Sequence, residues 1–289
     1  MRLCTIIILF HPEDDLLLKS LPAFNSETEG VIIWKNSEIS EKCEKIIKQF
    51  DKAVIAGDGK NVGIATALNE SIKIAEKSNF THVLTMDQDS YFDDGVITYY
   101  KAKILSTTSE NVGIFGINPL QGNRTLYEVN SGILNVSDTI TSGSIFKISN
   151  FQKTGYFKDD FFIDAVDYEY CYRVKDKYNL GTIVFSDILL NHTVGYIEKT
   201  KLGFSINNYS PFRTYFIIRN QFQIWKMYPS MFPAGYKITL LKDHLLFRII
   251  KVIIAEDNKI KKLRAIATGF YHFLINKSGY YNINSKFDS

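Results

Sequence analysis

The chain has 289 residues, enough to bury one large core or one domain with an appendage. Its hydrophobic content of 45% and charged content of 22% are ordinary for a soluble globular protein. The three cysteines, Cys4, Cys43 and Cys171, are widely spaced and form no C-x-x-C pair. This argues against a disulfide framework or a structural zinc site and favours a reducing cytoplasm.

The formal net charge of +3 is unevenly distributed. Residues 237–264 hold eight lysines or arginines and three acids, a net of +5, so the rest of the chain carries −2. A basic segment on a slightly acidic body indicates an anionic partner for that segment alone. We expect that this partner is not a nucleic acid, because no motif of the known readers is present.

Strand-like and helix-like stretches alternate in the first half of the chain. Short β-branched and apolar runs predict strands at 3–10, 31–34, 53–56 and 80–86. Apolar residues recur on a single face of a predicted helix over 63–77. The alternation predicts an α/β fold, with a mainly parallel sheet flanked by helices and with ligands beyond the carboxyl ends of the strands. The first run is too short to span a membrane and no cleavage site follows it, so we expect a buried strand there.

The second half begins with shorter strands and more turns. Strands are predicted at 112–117, 133–136, 144–148 and 182–185, and a helix is predicted at 166–178. After about residue 205 the chain becomes helical.

One of the last predicted helices, over 237–255, is strongly amphipathic. Lys237, His244, Arg248 and Lys251 form a polar stripe on a surface of Leu, Ile and Phe. Such a helix either packs on the body of the protein or lies on a membrane surface, and its charges are too frequent for it to cross a bilayer.

Two carboxylates, Asp87 and Asp89, stand one residue apart where the fourth predicted strand ends. A strand end of this kind is more often a solvated turn, but the pair also suits Mg²⁺ or Mn²⁺, which keep open positions for water and phosphate oxygens. A helix–loop–helix calcium site is excluded, because Tyr91 and Phe92 occupy the positions that require an oxygen ligand and a glycine.

A second acidic cluster follows further along the chain, at Asp164, Asp167 and Glu169. A metal site together with a base indicates chemistry on a diphosphate-linked substrate. Glu169 and Arg173 are also spaced as an ordinary i, i+4 ion pair of a helix, so a purely structural role for Glu169 stays open.

Four segments within residues 3–220 resemble the family 2 glycosyltransferases of the GT-A fold, in particular the bacterial rhamnosyltransferase-like members. The segment N-V-G-I-A-T-A-L-N at 61–69 is similar to the helix start near the donor nucleotide in that family, and D-Q-D at 87–89 to its metal motif. F-I-D-A-V-D-Y-E-Y-C-Y-R at 162–173 and S-P-F-R-T-Y-F-I-I-R-N at 210–220 are similar to two further segments of the rhamnosyltransferase-like members. Each match is weak alone, but the four in this order are specific.

The resemblance implies a GT-A catalytic domain over 1–205, with a nucleotide-sugar half to about 110 and an acceptor half from about 111. A helical region follows at 206–289, and its basic amphipathic segment is the reason to expect membrane association there. The resemblance also implies a catalytic base at Asp167. The implied ligands of Mg²⁺ or Mn²⁺ are Asp87, Asp89 and His192. The implied donor contacts are Asn61, Gly63, Asp87, Gln88 and Asp89. The implied acceptor or sugar contacts are Ser142, Gly143, Asp164, Glu169, Arg213 and Arg219.

Several of these residues also suit ordinary structural roles. A lone histidine such as His192 is usually structural, and T-S-G-S at 141–144 is also the composition of a simple turn. Arg213 and Arg219 equally suit a role in joining the C-terminal helices to the body. One position departs from the family: Lys35 stands where an aspartate that often contacts the donor base is expected, which leaves thymine or uracil recognition open.

We therefore expect an inverting, metal-dependent transfer of a sugar, first of all L-rhamnose from dTDP-L-rhamnose. The expected acceptor is a hydroxyl of a growing cell-surface polysaccharide or a lipid-linked oligosaccharide, at the cytoplasmic face of the membrane. The alternatives are a UDP-sugar-dependent hexosyl- or galactofuranosyltransferase and a non-catalytic sugar-binding module of the same fold. A nucleotidyltransferase would show a glycine- and arginine-rich loop near the N-terminus, which this sequence lacks. Homo-oligomerisation is left open.

Overall fold

The structure is a computed structural model that describes residues 1–107, 110–130, 132–192, 197–199 and 205–283. The chain forms two compact units, the first of residues 1–157 and 170–193 and the second of residues 158–169 and 194–289. The second unit thus combines a short internal segment, 158–169, with the C-terminal residues, and the domain boundary near 205 stays a prediction. The contacts that hold this segment are described with the site below.

Among its described residues the first unit contains one ten-stranded sheet. Its strands are β1 (Leu3–Leu9), β2 (Gly30–Lys35), β3 (Ala53–Ala56), β4 (His82–Asp87), β5 (Ser90–Tyr91), β6 (Val112–Gln121), β7 (Arg124–Thr125), β8 (Ile133–Val136), β9 (Ser144–Lys147) and β10 (Gly181–His192). Their order is β3-β2-β1-β4-β9-β6-β10-β5, with β7 paired to β6 and β8 to β10.

The parallel half of the sheet sets the position of the site. β1 pairs in parallel with β2 and β4, and all seven of its residues are buried, as expected for a strand covered on both faces. The order of the strands reverses between β1 and β4, so the connections that leave their carboxyl ends diverge and open a crevice there. The predicted mixed α/β sheet is confirmed, and Asp87 lies at this crevice.

Helices cover the sheet of the first unit. They are α1 (Asp14–Glu27), α2 (Glu41–Ile47), α3 (Ile64–Lys77), α4 (Val96–Ser106) and α5 (Ile148–Thr154), and α6 (Val166–Tyr178) begins in the second unit and ends in the first. Among the described residues, α3 contacts β1, α1 contacts β2, α4 contacts β10 and α5 contacts β9.

β10 is longer than the predicted strand, and this extension matters for the site. The sequence pattern ends at 185 because Ser186 and Asp187 interrupt the apolar run. In the structure the Ser186 hydroxyl is satisfied by the Asn130 carbonyl at 2.6 Å, and a register shift between Phe185 and Leu189 absorbs the interruption. The strand therefore continues to His192.

The second unit is mainly helical. Its helices are α7 (Pro211–Met227), α8 (Tyr236–Thr239), α9 (Arg248–Ala255) and α10 (Lys259–Leu274), with a π-helical segment (Leu240–Phe247) that joins α8 to α9 and a hairpin of β11 (Ile197–Lys199) and β12 (Ser205–Asn207). We call α8, the π-helical segment and α9 together the 236–255 helix. The hydrophobic core of the second unit contains Ile218, Phe222, Leu240, Val252 and Ile266. Within the described ranges, no helix combines the length and apolarity that crossing a membrane requires.

Candidate functional site

Three potential metal ligands meet at the carboxyl edge of the sheet in the first unit. Asp87 ends β4, Asp89 follows it in a turn, and His192 ends β10. The short strand β5 begins at Ser90 directly after this turn and pairs antiparallel with β10, which places Ser90 opposite His192. One ligand atom from each of Asp87, Asp89 and His192 lies within 4.8 Å of the other two. Two carboxylates and an imidazole form a donor set that suits Mn²⁺ or a related divalent cation.

The imidazole of His192 is held by a buried hydroxyl. Ser90 is 1% exposed, and its Oγ lies 2.7 Å from Nδ1 of His192. When Nδ1–H donates to this oxygen, Nε2 keeps its lone pair for a metal, an arrangement typical of metal-binding histidines. The sequence motifs do not single out Ser90, although its place next to D-Q-D is the signal that could have done so.

The predicted T-S-G-S segment lies beside the same cluster. The backbone N–H of Asp87 donates to Oγ of Ser142 at 3.1 Å, and the N–H of Gly143 donates to the carbonyl of Thr85 at 2.8 Å. Gly143 has a φ of 79°, and a Cβ there would lie 2.6 Å from Cγ1 of Ile117. Both the backbone conformation and the close approach therefore require glycine at this position.

Gln88 joins the metal turn to the end of β1. The N–H of Phe10 donates to Oε1 of Gln88 at 2.8 Å, and Nε2 of Gln88 donates to the Phe10 carbonyl at 3.1 Å. This pair of hydrogen bonds fixes the backbone of Phe10, a residue that is 45% exposed. Gln88, which the resemblance implies as a donor contact, thus holds the loop at the end of β1.

Asn61 and Gly63 lie at the neighbouring strand ends. Oδ1 of Asn61 accepts from Nδ2 of Asn36 at 3.2 Å and from the N–H of Gly63 at 3.0 Å. Asn36 in turn accepts from the N–H of Val62 at 2.9 Å. These hydrogen bonds join the end of β2 to the start of α3. Lys35, which precedes Asn36 in the sequence, is partly exposed.

In the second unit, Asp164 is held by Arg213 and is almost buried. Nε of Arg213 lies 2.9 Å from Oδ1 of Asp164, whose side chain is 11% exposed. Its other oxygen, Oδ2, is buried and makes no hydrogen bond within the described chain. Burial raises the pKa of Asp164, and the charge and hydrogen bond of Arg213 oppose that rise.

The segment that contains Asp164 has an unusual backbone. Phe162, Asp164 and Ala165 each have a φ of 62°, a region that non-glycine residues rarely occupy. Nδ2 of Asn220 lies 2.8–2.9 Å from the carbonyl oxygens of Phe161, Ile163 and Asp164 and holds this conformation. Backbone strain of this kind persists only where its surroundings impose it, often at functional sites. The sequence assigned no role to Asn220, although it closes the 210–220 segment.

Asp167, the predicted base, lies in the first turn of α6 and is partly exposed. Its Oδ1 accepts from the N–H of Tyr168 at 2.9 Å. The residue lies in the second unit, and its role as the base stays a prediction.

Glu169 and Arg219 have positions that favour structural roles. Glu169 is fully buried and accepts from the Tyr228 hydroxyl at 2.6 Å. Arg219 is also fully buried, and it donates to the carbonyls of Gly279 at 2.5 Å and Asp160 at 2.7 Å. These contacts of Arg219 join segments within the second unit, and its role as an acceptor or sugar contact stays a prediction. Arg219 and Asn220 together explain why 158–169 groups with that unit.

The structure thus collects the predicted site residues in two sets. The first unit brings together Asp87, Asp89 and His192 with Gln88, Ser142 and Gly143, and it places Asn61 and Gly63 at the neighbouring strand ends. The second unit contains Asp164, Asp167, Glu169, Arg213 and Arg219.

Comparisons with known proteins support the resemblance. No family model matches the chain. The curated dTDP-rhamnosyl transferase RfbF of Shigella flexneri is 25% identical over 276 residues, which covers 90% of each protein. The crystal structure of TarS from S. aureus matches with a TM-score of 0.54 and 14% identity over 94% of this chain, which spans only 43% of the length of that TarS chain. A mannosyltransferase, PcManGT of Pyrobaculum calidifontis, solved with GDP-Man and Mn²⁺, matches with a TM-score of 0.57 and 12% identity over 99% of this chain and 78% of its own.

These relationships confirm the fold and the enzyme class predicted from the motifs. The structural matches show the GT-A fold, and the sequence match over nearly the whole chain supports the glycosyltransferase class.

Proposed function

We propose that this glycosyltransferase of the GT-A fold moves a sugar from a nucleotide-sugar donor to a hydroxyl of a saccharide acceptor with inversion, assisted by a divalent cation. The observation that carries the proposal is the cluster of Asp87, Asp89 and His192, whose ligand atoms lie within 4.8 Å at the carboxyl edge of the sheet. A nucleoside diphosphate is a poor leaving group unless its developing charge is neutralised. When bound, Mg²⁺ or Mn²⁺ supplies that neutralisation as a Lewis acid.

The residues of this chain have distinct parts in the proposed reaction. The acceptor oxygen attacks the anomeric carbon, the bond from that carbon to the diphosphate breaks, and the diphosphate leaves with the electron pair. Asp167 accepts the proton of the acceptor hydroxyl, which is worth roughly 10²–10⁴ in rate for a general base of this kind. Asn61 and Gly63 contact the donor at the start of α3, Ser142 and Gly143 let the sugar approach the backbone, and Asp164 with Arg213 contacts the acceptor.

We propose dTDP-L-rhamnose as the donor. The relative over 90% of the chain is named a dTDP-rhamnosyl transferase, and the D-Q-D and 162–173 segments resemble rhamnosyltransferase-like sequences. Lys35 stands at the end of β2 in place of the aspartate expected near the base. Because this position leaves thymine or uracil recognition open, a UDP-sugar-dependent hexosyl- or galactofuranosyltransferase is the alternative.

We place the acceptor, a growing cell-surface polysaccharide or a lipid-linked oligosaccharide, at the cytoplasmic face of the membrane. The net charge of +5 over 237–264 supports this location, because it attracts an anionic surface.

A panel of donors tests the proposal. Purified protein with Mn²⁺ is incubated with dTDP-L-rhamnose, UDP-glucose, UDP-galactose, UDP-galactofuranose or GDP-mannose, and released nucleoside diphosphate is measured by mass spectrometry. We expect release from dTDP-L-rhamnose, and activity with UDP-sugars alone would contradict the donor assignment.

Asp167→Asn separates an enzyme from a binding module. We expect this variant to lose turnover and keep donor binding. Unchanged turnover would contradict the assignment of the base, and a wild-type protein that binds donors without turning any over would be a sugar-binding module.

A further inference from the structure

The polar stripe of the 236–255 helix is mostly turned away from solvent. The sequence predicts Lys237, His244, Arg248 and Lys251 as this stripe, and only Lys237 is exposed. The other three are partly buried, and burial lowers the pKa values of His244 and Lys251. The sequence predicts the stripe, but it does not predict which side of the helix is buried.

Two features of the structure cause this orientation. Residues Leu240–Phe247 form a π-helical segment, whose i→i+5 hydrogen bonds alter the 3.6-residue period on which the predicted stripe depends. In addition, Arg248 makes an ion pair with Glu256, whose side chain is fully buried, and Lys262 contacts the same carboxylate at 2.8 Å. We call Arg248, Glu256 and Lys262 the charge cluster. It fixes the charged side of α9 toward the second unit's interior.

The opposite side of the helix is apolar and exposed. Leu246, Phe247, Ile250, Ile253 and Ile254 are spaced i, i+1, i+4, i+7 and i+8, which places them on one face, and each is 41–60% exposed. Ile238, at 72%, and Leu241, at 39%, extend the exposed apolar surface toward the start of the helix. We call these seven residues the outer apolar face. A contiguous exposed surface of large apolar side chains normally marks an interaction site.

The exposed charges of residues 237–264 indicate the kind of partner that this face fits. The exposed cations over 237–264 are Lys237, Lys242, Lys259, Lys261 and Arg264, and the exposed acids are Asp243 and Asp257. Two copies of the chain would bring two such cationic surfaces together, which costs electrostatic repulsion. An anionic lipid surface offers negative headgroups to the cations and an acyl region to the apolar side chains at the same time.

We propose that the outer apolar face inserts into the headgroup–acyl boundary of an anionic membrane, and that the charge cluster holds the helix in the orientation that presents it. Lys242 and Lys259 then lie at headgroup level, where their aliphatic stems cover apolar surface while their ammonium groups contact lipid phosphates. This inference deepens the proposed membrane-side location of the acceptor and names the side chains that make the contact.

Vesicle sedimentation of the full chain tests the inference without donor or metal, so its outcome is independent of transfer activity. The vesicles are pure phosphatidylcholine or a mixture with phosphatidylglycerol. Ile250→Glu/Ile253→Glu changes the outer apolar face, and Leu105→Glu is the matched control, because Leu105 is an exposed leucine of the first unit at 67%. We expect strong binding to the anionic vesicles only, an at least tenfold loss in the double variant and no loss in Leu105→Glu.

Three results would overturn the inference. The first is equal partitioning onto both kinds of vesicle, and the second is an equal loss of vesicle binding in Leu105→Glu. The third is a wild-type protein that does not bind vesicles but is a dimer in analytical ultracentrifugation, with the double variant monomeric. Phe247→Trp provides a readout that does not depend on the folding of the double variant. We expect its added tryptophan emission to shift to shorter wavelength on anionic vesicles, and an unchanged emission would contradict insertion.

Discussion

Replacing Ser90 with alanine probes how the metal ligand His192 is oriented. Ser90 is buried, and its hydroxyl is 2.7 Å from Nδ1 of His192, so no water takes the place of the lost oxygen without rearrangement. In Ser90→Ala the ring can rotate and can place its proton on Nε2, the nitrogen left for the metal. Loss of such an outer partner typically weakens metal affinity about 10–100-fold, which corresponds to roughly 1.4–2.7 kcal/mol.

The measurement is a Mn²⁺ titration of metal-stripped protein in the presence of dTDP, by calorimetry or electron paramagnetic resonance. Ser71→Ala is the matched control, because Ser71 is also fully buried and its hydroxyl donates to the Ala67 carbonyl within α3, at 2.8 Å. We expect the Mn²⁺ affinity of Ser71→Ala to equal that of wild type. An affinity of Ser90→Ala within about threefold of wild type, a difference of less than 1 kcal/mol, would refute the orienting role.

Three further changes have defined expectations. Glu256→Gln leaves Arg248 and Lys262 beside a neutral buried amide. We expect urea denaturation to show that the free energy of unfolding falls by about 3–5 kcal/mol. A fall of less than about 1 kcal/mol would contradict the burial of these ion pairs. Asn220→Ala releases the strained segment before Asp167, the predicted base. We expect kcat to fall about tenfold or more, with an unchanged dissociation constant for the donor. An equal change in kcat and in the dissociation constant would contradict a positioning role. Burial lowers the pKa of His82 from 6.5 to about 4, so the unfolded chain binds this proton first as the pH falls, and stability should decrease between pH 6.5 and 4. In His82→Gln the urea midpoint should lose that part of its pH dependence, and an unchanged profile would contradict the shift.

The central part of the site could be predicted because its signals are local. D-Q-D at the end of a strand indicates Asp87 and Asp89, the family resemblance adds His192, and the structure brings their ligand atoms together. The sequence does not show why His192 reaches the end of β4. This position depends on the continuation of β10 past Ser186, which the distant Asn130 makes possible.

Longer-range contacts explain the differences between prediction and structure. The segment 158–169 belongs with the C-terminal unit because Arg219 and Asn220 bind its carbonyl groups across more than fifty residues of sequence. The 236–255 helix was predicted with nearly correct ends, but its orientation depends on Glu256 and on the π-helical segment, and neither changes the local hydrophobic pattern. Periodicity therefore gave the extent of this helix and could not give its outward face.

The most direct test of the account is the coupling between metal and nucleotide binding. Calorimetry measures the affinity of dTDP for wild type and for Asp89→Asn, each with Mn²⁺ and with EDTA. We predict that Mn²⁺ strengthens dTDP binding to wild type and leaves binding to Asp89→Asn unchanged. Equal dTDP affinity of wild type with Mn²⁺ and with EDTA would contradict a cation that joins Asp87, Asp89 and His192 to the donor diphosphate.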